Sequence, residues 1–324
     1  MKLFLSKLAL ISVISLGLMF ILSYLYSYMD KKSTPNYYDE TKFLNVPYNI
    51  QVSNFGSSHG LYGFDYRNHS KDYTTFNFAL SSQTLSYDYL ILKQYEEHLA
   101  DNGVMFIVIS NFSFGYDEES DPDFKSKNSR YYRFLSPEYI KQFDWKQYYF
   151  APFLIGANEV LTAIKLKVLS LFNKSNNKED LYEKGGIDFD YEKDADAAYK
   201  RHIHVDKNGK LIILQKEVDA LYRIIEICRK HYIKPILVTT PYRREYNNKY
   251  SENFYRQLHD EINSICRQTG VEYHDYRNDP RFASSYEYNR NADHLTQSGA
   301  VVFTDTLFKE LIANMSIGSN VGIK

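Results

Sequence analysis

The sequence predicts an α/β protein: a doubly wound, mostly parallel sheet with a long insertion and an N-terminal transmembrane helix. Strand-like and helix-like segments alternate after residue 45, which is the pattern of βαβ units. One segment, residues 104–110, is almost entirely apolar, as expected of a strand buried on both faces. A nearly uncharged run at residues 8–29 is long enough to cross a bilayer as a helix.

The composition is that of a globular protein and excludes several classes. The 324 residues are 44% hydrophobic and 24% charged, so the chain is neither mainly disordered nor collagen-like. The formal charge of −1 provides no global field that would attract nucleic acid. Cys228 and Cys266 are too few for a disulfide framework and are expected to be free thiols or, less readily, one bridge. The 31 tyrosines fit either a carbohydrate groove or an AT-rich genome.

Residues 1–32 predict a short cytoplasmic stub followed by an uncleaved signal anchor. The apolar run follows Lys2 and Lys7, is longer than that of a signal peptide, and ends in tyrosines instead of a small-residue cleavage site. These basic residues favour a cytoplasmic N-terminus. We therefore expect a single-pass protein of the cell membrane, with a linker at residues 33–44 and residues 45–324 outside the cytoplasm.

Five strands and four helices are predicted for the extracytoplasmic part. The strands are expected at residues 48–55, 74–80, 104–110, 236–239 and 271–276. Apolar positions three or four apart predict helices at residues 86–100, 217–231, 251–268 and 298–312. An insertion at about residues 115–210 separates the third strand from the second helix. Its amphipathic segment, residues 151–172, could cover the protein's own core or form a lid or membrane dock.

Candidate chemistry lies at the carboxyl ends of the strands, where open parallel sheets bind ligands. The first strand is followed by Gly56, Ser57 and Ser58, and Asp293 and His294 precede the last helix. Serine becomes a good nucleophile when a neutral imidazole accepts its proton, and the imidazole needs a carboxylate to fix its tautomer. The residue types therefore outline acyl transfer through an acyl-enzyme.

The tetrahedral intermediate of such a reaction needs preorganised donors. The available set is the backbone N–H groups of Ser58 and Ser82 and the side-chain amide of Asn111, which follow the first three strands.

At these residues the sequence resembles the SGNH (GDSL-like) hydrolase superfamily, over about residues 45–315 without the insertion. The Gly-x-Ser block matches Gly56 to Ser58, which implies that Ser58 is the nucleophile. Ser82 takes the place of the second block's glycine, and Asn111 is the best match to the third block's asparagine. The resemblance implies a flavodoxin-like sheet.

The last block of this superfamily is Asp-x-x-His, and here the sequence departs from it. His294 matches the base, but Asn291 stands three residues before it. An asparagine can orient an imidazole but cannot stabilise an imidazolium as a charge. The third member of the triad is therefore Asp293, Asp275 at the end of the fifth strand, or Asn291 in a weakened triad.

The motifs and the predicted anchor resemble the cell-envelope branch, with its DltD-like proteins and AlgJ/AlgX/PatB-type polysaccharide O-acetyltransferases. That resemblance implies transfer of an acyl group, acetyl above all, to a surface polysaccharide beside a multi-spanning membrane-bound O-acyltransferase. It implies no cofactor and no metal. Two alternatives stay open: a carbohydrate esterase with the same triad, and a non-catalytic glycan-binding or scaffold subunit of an export or modification complex.

Other residues at this edge of the sheet are weaker candidates. Tyr242, Arg243 and Arg244 follow the fourth strand and could contact a glycan or form a solvated loop. We expect the side chain of His59 to point away from Ser58. The spacing Gly56-x-Ser58-x-Gly60 also fits an α/β-hydrolase elbow, but no earlier strands are available to build that sheet. His202 and His204 could bind a metal ion but are expected to be ordinary exposed histidines, because Asp206 is the one further ligand at metal-binding spacing.

Overall fold

The computed structural model describes residues 2–31, 37, 39–146, 148, 185–313, 315 and 317. The chain divides into two compact units. The first takes in residues 1–36, 40–44 and 128–177, and the second takes in residues 37–39, 45–127 and 178–324. The predicted insertion is thus shared between the units, and its predicted amphipathic segment, residues 151–172, lies outside the described residues.

The second unit is built on a five-stranded sheet in which all neighbouring strands are parallel, in the order β2-β1-β3-β4-β5. The strands are β1 Ile50–Phe55, β2 Thr75–Asn77, β3 Leu99–Val108, β4 Lys234–Thr239 and β5 Glu272–Asp275. The strand order reverses between β1 and β3, which is where open α/β sheets bind ligands. The predicted α/β class and parallel sheet are confirmed, and the topology fits a doubly wound fold.

Nine α-helices are described. They are α1 Lys2–Lys31, α2 Ser58–Gly63, α3 Leu85–Tyr95, α4 Phe124–Ser129, α5 Tyr191–His202, α6 Gln215–Lys230, α7 Arg244–Asn247, α8 Glu252–Thr269 and α9 Gln297–Leu307. Short 3-10 helices span Glu40–Asn45, Glu96–His98, Glu118–Ser120, Arg130–Arg133 and Pro137–Tyr139, and a π-helical turn spans Phe308–Ile312. Within the described residues no helix has the combination of length and apolar character that crossing a membrane requires, so the predicted transmembrane helix is not found.

The core explains why β3 lies at the centre of the sheet. Val104 to Val108 are at most 2% exposed, and Val104, Phe106 and Val108 form one cluster with apolar side chains of β1 and β4 on one face of the sheet. The helix predicted over residues 86–100 ends early, because Leu99 already pairs with Ile50 of β1. A register shift between Ile50 and Val52 accommodates the extra residues at the start of β3.

Candidate active site

The turn after β1 presents Ser58 at the carboxyl edge of the sheet. Gly56 has φ +135°, and a Cβ at this position would lie 2.8 Å from the Cβ of Val108, so the turn packs closely against β3. Ser57 caps α2, and its Oγ accepts a hydrogen bond from the N–H of His59. Ser58 is therefore the first residue of the helix, and it is half-buried.

Two asparagines on neighbouring strands hold this short helix in place. The Nδ2 of Asn54 on β1 donates to the carbonyl of Gly60 at 3.1 Å and to the Oδ1 of Asn77 at 3.0 Å. Asn77 ends β2, and its own Nδ2 donates to the same carbonyl at 3.2 Å. Both amides are buried, so these bonds fix α2, and with it Ser58, relative to the sheet.

Ser58 and His294, 236 residues apart in the chain, meet at this edge. The Nε2 of His294 lies 2.8 Å from the Oγ of Ser58, which is hydrogen-bonding distance for a nucleophile and its base. Asn291 orients the imidazole: its Oδ1 accepts from the backbone N–H of His294 at 2.8 Å and lies 3.1 Å from the ring Nδ1. Thr296 then caps α9 and ends the loop.

Asp293 supplies the negative charge beside this imidazole. Its Oδ1 lies 3.1 Å from the Nδ1 of His294 without a well-aligned hydrogen bond, and its Oδ2 lies 3.3 Å from the Nε2 of His59. Burial by itself would raise the pKa of Asp293, but the imidazoles of His294, His59 and His202 hold that pKa well below its usual value. Asn291 thus provides the hydrogen bond to the base, and Asp293 provides the charge.

Asp275 is not part of this arrangement. Its Oδ2 lies 3.1 Å from the Nε2 of His259 and 3.2 Å from Arg277. The carboxylate of Asp275 is thus engaged by a different imidazole and a guanidinium, and among the described contacts it is Asp293 that lies beside His294.

The side chain of His59 points into the interior and away from Ser58, as expected. It nevertheless contacts the site through the carboxylate of Asp293. Its Nδ1 lies 2.8 Å from the Oγ of Ser110 and 2.9 Å from the hydroxyl of Tyr242. Burial lowers the pKa of His59, against the opposing hydrogen bond to Asp293. The imidazole is therefore neutral at physiological pH.

A pocket of about 250 Å³ opens beside Ser58. It is lined by Ser58, Ser82, Phe112, Tyr116, Asp121, Lys127, Arg201, His202 and His204. Lys127 is paired with Asp121 at 2.6 Å, whereas Arg201 is exposed and has no described partner. His202 and His204 are not the ordinary exposed histidines that were expected, because both are half-buried in this wall.

His202 links the pocket to the buried carboxylate. Its Nδ1 lies 2.8 Å from the hydroxyl of Tyr246 and 3.7 Å from the Oδ2 of Asp293. Burial lowers the pKa of His202 to about 3, so the imidazole that lines the pocket is uncharged. The sequence did carry a signal for its helix, α5: Asp190 is an N-cap, and buried residues recur at three- and four-residue spacing from Tyr191.

The three predicted oxyanion donors are not placed alike. Ser82 lines the pocket with φ +54°, a left-handed conformation that a glycine would adopt without strain. The amide of Asn111 is buried beside the hydroxyls of Tyr250 and Tyr255, without a well-aligned hydrogen bond, and does not line the pocket. Asn111 is thus not among the described residues that line the pocket, and the backbone N–H groups of Ser58 and Ser82 remain the better candidates for donors.

The weak candidates after β4 do not form a substrate surface. Tyr242 is fully buried against His59. Arg243 is 2% exposed, donates to the carbonyl of Ser285, and lies 3.7 Å from the ring centroid of Tyr191. Arg244 is exposed, but its guanidinium donates to Ser284 and does not line the pocket. Of the two interpretations left open for this segment, a glycan contact and a solvated loop, these contacts support neither for Tyr242 and Arg243, which are buried.

Three side chains here could also hold a metal ion. The ligand atoms of His59, Asp293 and His294 all lie within 4.8 Å of one another. His294, however, faces Ser58 with its Nε2, which favours use of the imidazole as a base. Cys228 and Cys266 are both free thiols and lie apart from this site on α6 and α8.

The site therefore joins a serine, an imidazole and a buried carboxylate beside a pocket of about 250 Å³. A search of protein families and of curated proteins gives no match to this chain.

Proposed function

We propose that this chain is an SGNH-type serine enzyme that transfers an acyl group, acetyl above all, to a hydroxyl of a cell-surface polysaccharide. The observation that carries the proposal is the 2.8 Å contact between the Oγ of Ser58 and the Nε2 of His294 at the carboxyl edge of a parallel sheet. The carboxylate of Asp293 behind the imidazole and the pocket in front of the hydroxyl support it.

The chemistry has two matched halves. His294 takes the proton of Ser58 as Oγ attacks the carbonyl carbon of the acyl donor, and the donor's oxygen leaves with that proton. An acceptor hydroxyl then gives its proton to His294, attacks the acyl-enzyme, and returns Ser58 to its free form. In both halves the negative oxygen of the tetrahedral intermediate faces the backbone N–H groups of Ser58 and Ser82.

The pocket supports a sugar as acceptor. Its volume lies just below the roughly 300–1,000 Å³ of pockets that take drug-sized ligands, which favours a small acceptor such as one sugar unit. Its lining combines aromatic residues, Phe112 and Tyr116, with polar ones such as Arg201, a mixture that suits a sugar.

The same site suits a carbohydrate esterase if water replaces the sugar hydroxyl as the acceptor of the acyl group. The experiment below distinguishes the two acceptors. Supply of the acyl group by a multi-spanning membrane-bound O-acyltransferase, and a location at the cell membrane outside the cytoplasm, stay predictions. Cell fractionation and crosslinking test them.

A fluorophosphonate probe tests the nucleophile. We expect the probe to label wild-type protein at Ser58, as located by peptide mass spectrometry, and to leave Ser58→Ala unlabelled. Ser57→Ala is the matched control: it removes a neighbouring hydroxyl that caps α2 and does not face His294, so labelling is retained.

The acceptor is tested next. Wild-type protein that the probe has been shown to label is incubated, without the probe, with an aryl acetate in the presence and in the absence of an oligosaccharide. Acetylated sugar favours the transferase, and acetate alone favours the esterase. If the folded wild-type protein is not labelled, forms no acyl-enzyme and still binds a glycan, the proposed enzymatic activity is wrong. That result would support the non-catalytic scaffold subunit.

A further inference from the structure

The imidazole of His59 has a partner on each nitrogen, although it is 1% exposed and does not touch Ser58 as a base would. Its Nδ1 faces the hydroxyls of Ser110 and Tyr242 at 2.8 and 2.9 Å, and its Nε2 faces the Oδ2 of Asp293 at 3.3 Å. Ser110 follows β3 and Tyr242 follows β4, so the ring is held by the sheet itself.

These partners select one tautomer. An ionised carboxylate is only an acceptor, so the nitrogen that faces Asp293 must carry the proton. A hydroxyl can donate, so the Nδ1 lone pair is satisfied by Ser110 or Tyr242. The other tautomer would aim a lone pair at the carboxylate in a buried site, where such repulsion is strong. His59 is thus a neutral ring with its proton on Nε2.

We propose that His59 is a positioning residue for the acyl-transfer reaction, whose Nε2–H donates to Oδ2 of Asp293 and holds the carboxylate so that Oδ1 faces His294. The triad becomes a tetrad, in which two imidazoles share one carboxylate. This inference rests on the proposed function.

The structure indicates why such a residue is needed. Oδ1 of Asp293 has no well-aligned hydrogen bond within the described residues, so the orientation of the carboxylate depends on what holds Oδ2. The other described group near Oδ2 is the Nδ1 of His202, at the longer distance of 3.7 Å. The described groups that face His59 are the side chains of Asp293, Tyr242 and Ser110 and the rings of Phe112, His202, Tyr246 and His294. A donor on Oδ2 also favours the ionised form of Asp293, which the reaction uses.

The tautomer can be observed without any activity. In a ¹⁵N-histidine spectrum of the full-length protein, we expect the His59 signals to show a protonated Nε2 and an unprotonated Nδ1, assigned by their loss in His59→Gln. A His59 ring with its proton on Nδ1, or a doubly protonated ring at neutral pH, would overturn the proposal. Because this measurement uses wild-type protein, it remains informative if that protein proves inactive towards esters, which would count against the proposed function instead.

Two variants then test the role in catalysis. His59→Phe fills the space without a donor, and we expect kcat for an aryl acetate to fall roughly 10- to 100-fold with little change in KM. The acidic limb of its pH–rate profile should move to higher pH, because a carboxylate that has lost a donor stabilises the protonated imidazole of the base, His294, more strongly. His59→Gln keeps an N–H donor and should recover most of the rate and the wild-type profile.

The control is thermal unfolding of each variant, which separates loss of the fold from loss of the carboxylate's orientation. If the folded His59→Phe variant keeps the wild-type kcat and pH profile, His59 has no positioning role. If His59→Gln is as slow as His59→Phe and neither acidic limb moves, the role is only structural, and the proposal fails.

Discussion

Replacement of Asp293 by asparagine is expected to slow acyl transfer by about four orders of magnitude without unfolding the protein. The side chain keeps its shape, but the charge that faces the imidazole of His294 at 3.1 Å is lost. A unit charge at this distance, with an effective dielectric constant of about 20, stabilises the imidazolium by about 5 kcal/mol, which corresponds to roughly 10⁴-fold in rate.

The matched comparison is Asn291→Ala, which removes the aligned acceptor of His294 Nδ1 at 3.1 Å but leaves the charge of Asp293 in place. One neutral hydrogen bond is worth about 1 kcal/mol, so this variant should lose roughly 5- to 10-fold. The two variants are therefore expected to differ by about 10³-fold, although both residues lie near the same ring nitrogen.

The assay is kcat/KM for an aryl acetate, together with the rate of fluorophosphonate labelling at Ser58. Far-ultraviolet circular dichroism and thermal unfolding check that each variant is folded. If Asp293→Asn keeps more than about a tenth of the wild-type rate, or if Asn291→Ala is the slower variant, the charge of Asp293 is not what stabilises the imidazolium, and the electrostatic reasoning is wrong.

Further predictions concern the supports of the site. Asp88 is buried beside the N–H of Gly56, and burial raises its pKa to about 8. The native protein therefore keeps a proton that the unfolded chain loses above about pH 4, so stability should fall by at most about 1.4 kcal/mol per pH unit between pH 4 and 8 and then level off. Asp88→Asn should remove this decline in urea-unfolding curves measured across pH, and an unchanged slope would contradict the assignment. Ser82→Gly should keep fluorophosphonate labelling and raise the free energy of unfolding by up to about 1 kcal/mol, because φ +54° strains serine; lost labelling would mean that the hydroxyl is needed. Gly56→Ala should lower the free energy of unfolding by about 2–4 kcal/mol, because its Cβ would meet Val108 at 2.8 Å. Wild-type stability of that variant would show that the turn can relax.

Boundaries between elements were predictable only where the local pattern and the sheet agree. The apolar run of β3 stands out in the sequence, but its first residues, Leu99 and Ala100, continue the spacing of the preceding helix. Pairing with Ile50 of β1 draws them into the strand, and that pairing joins segments about fifty residues apart. Local periodicity carries no information about such a partner.

The sequence by itself determined the order of strands and helices, the turn that exposes Ser58, and the loop that carries His294, since each depends on residues close together in the chain. The tertiary structure decided which acid serves the base. Asp293 and Asp275 both lie at strand or loop ends, and burial against His59, 234 residues away, distinguishes them. It also decided that the amide of Asn111 lies beside the hydroxyl of Tyr250 while Ser82 lines the pocket. The direction of a side chain at a strand end depends on packing across the whole sheet, and no local spacing encodes it.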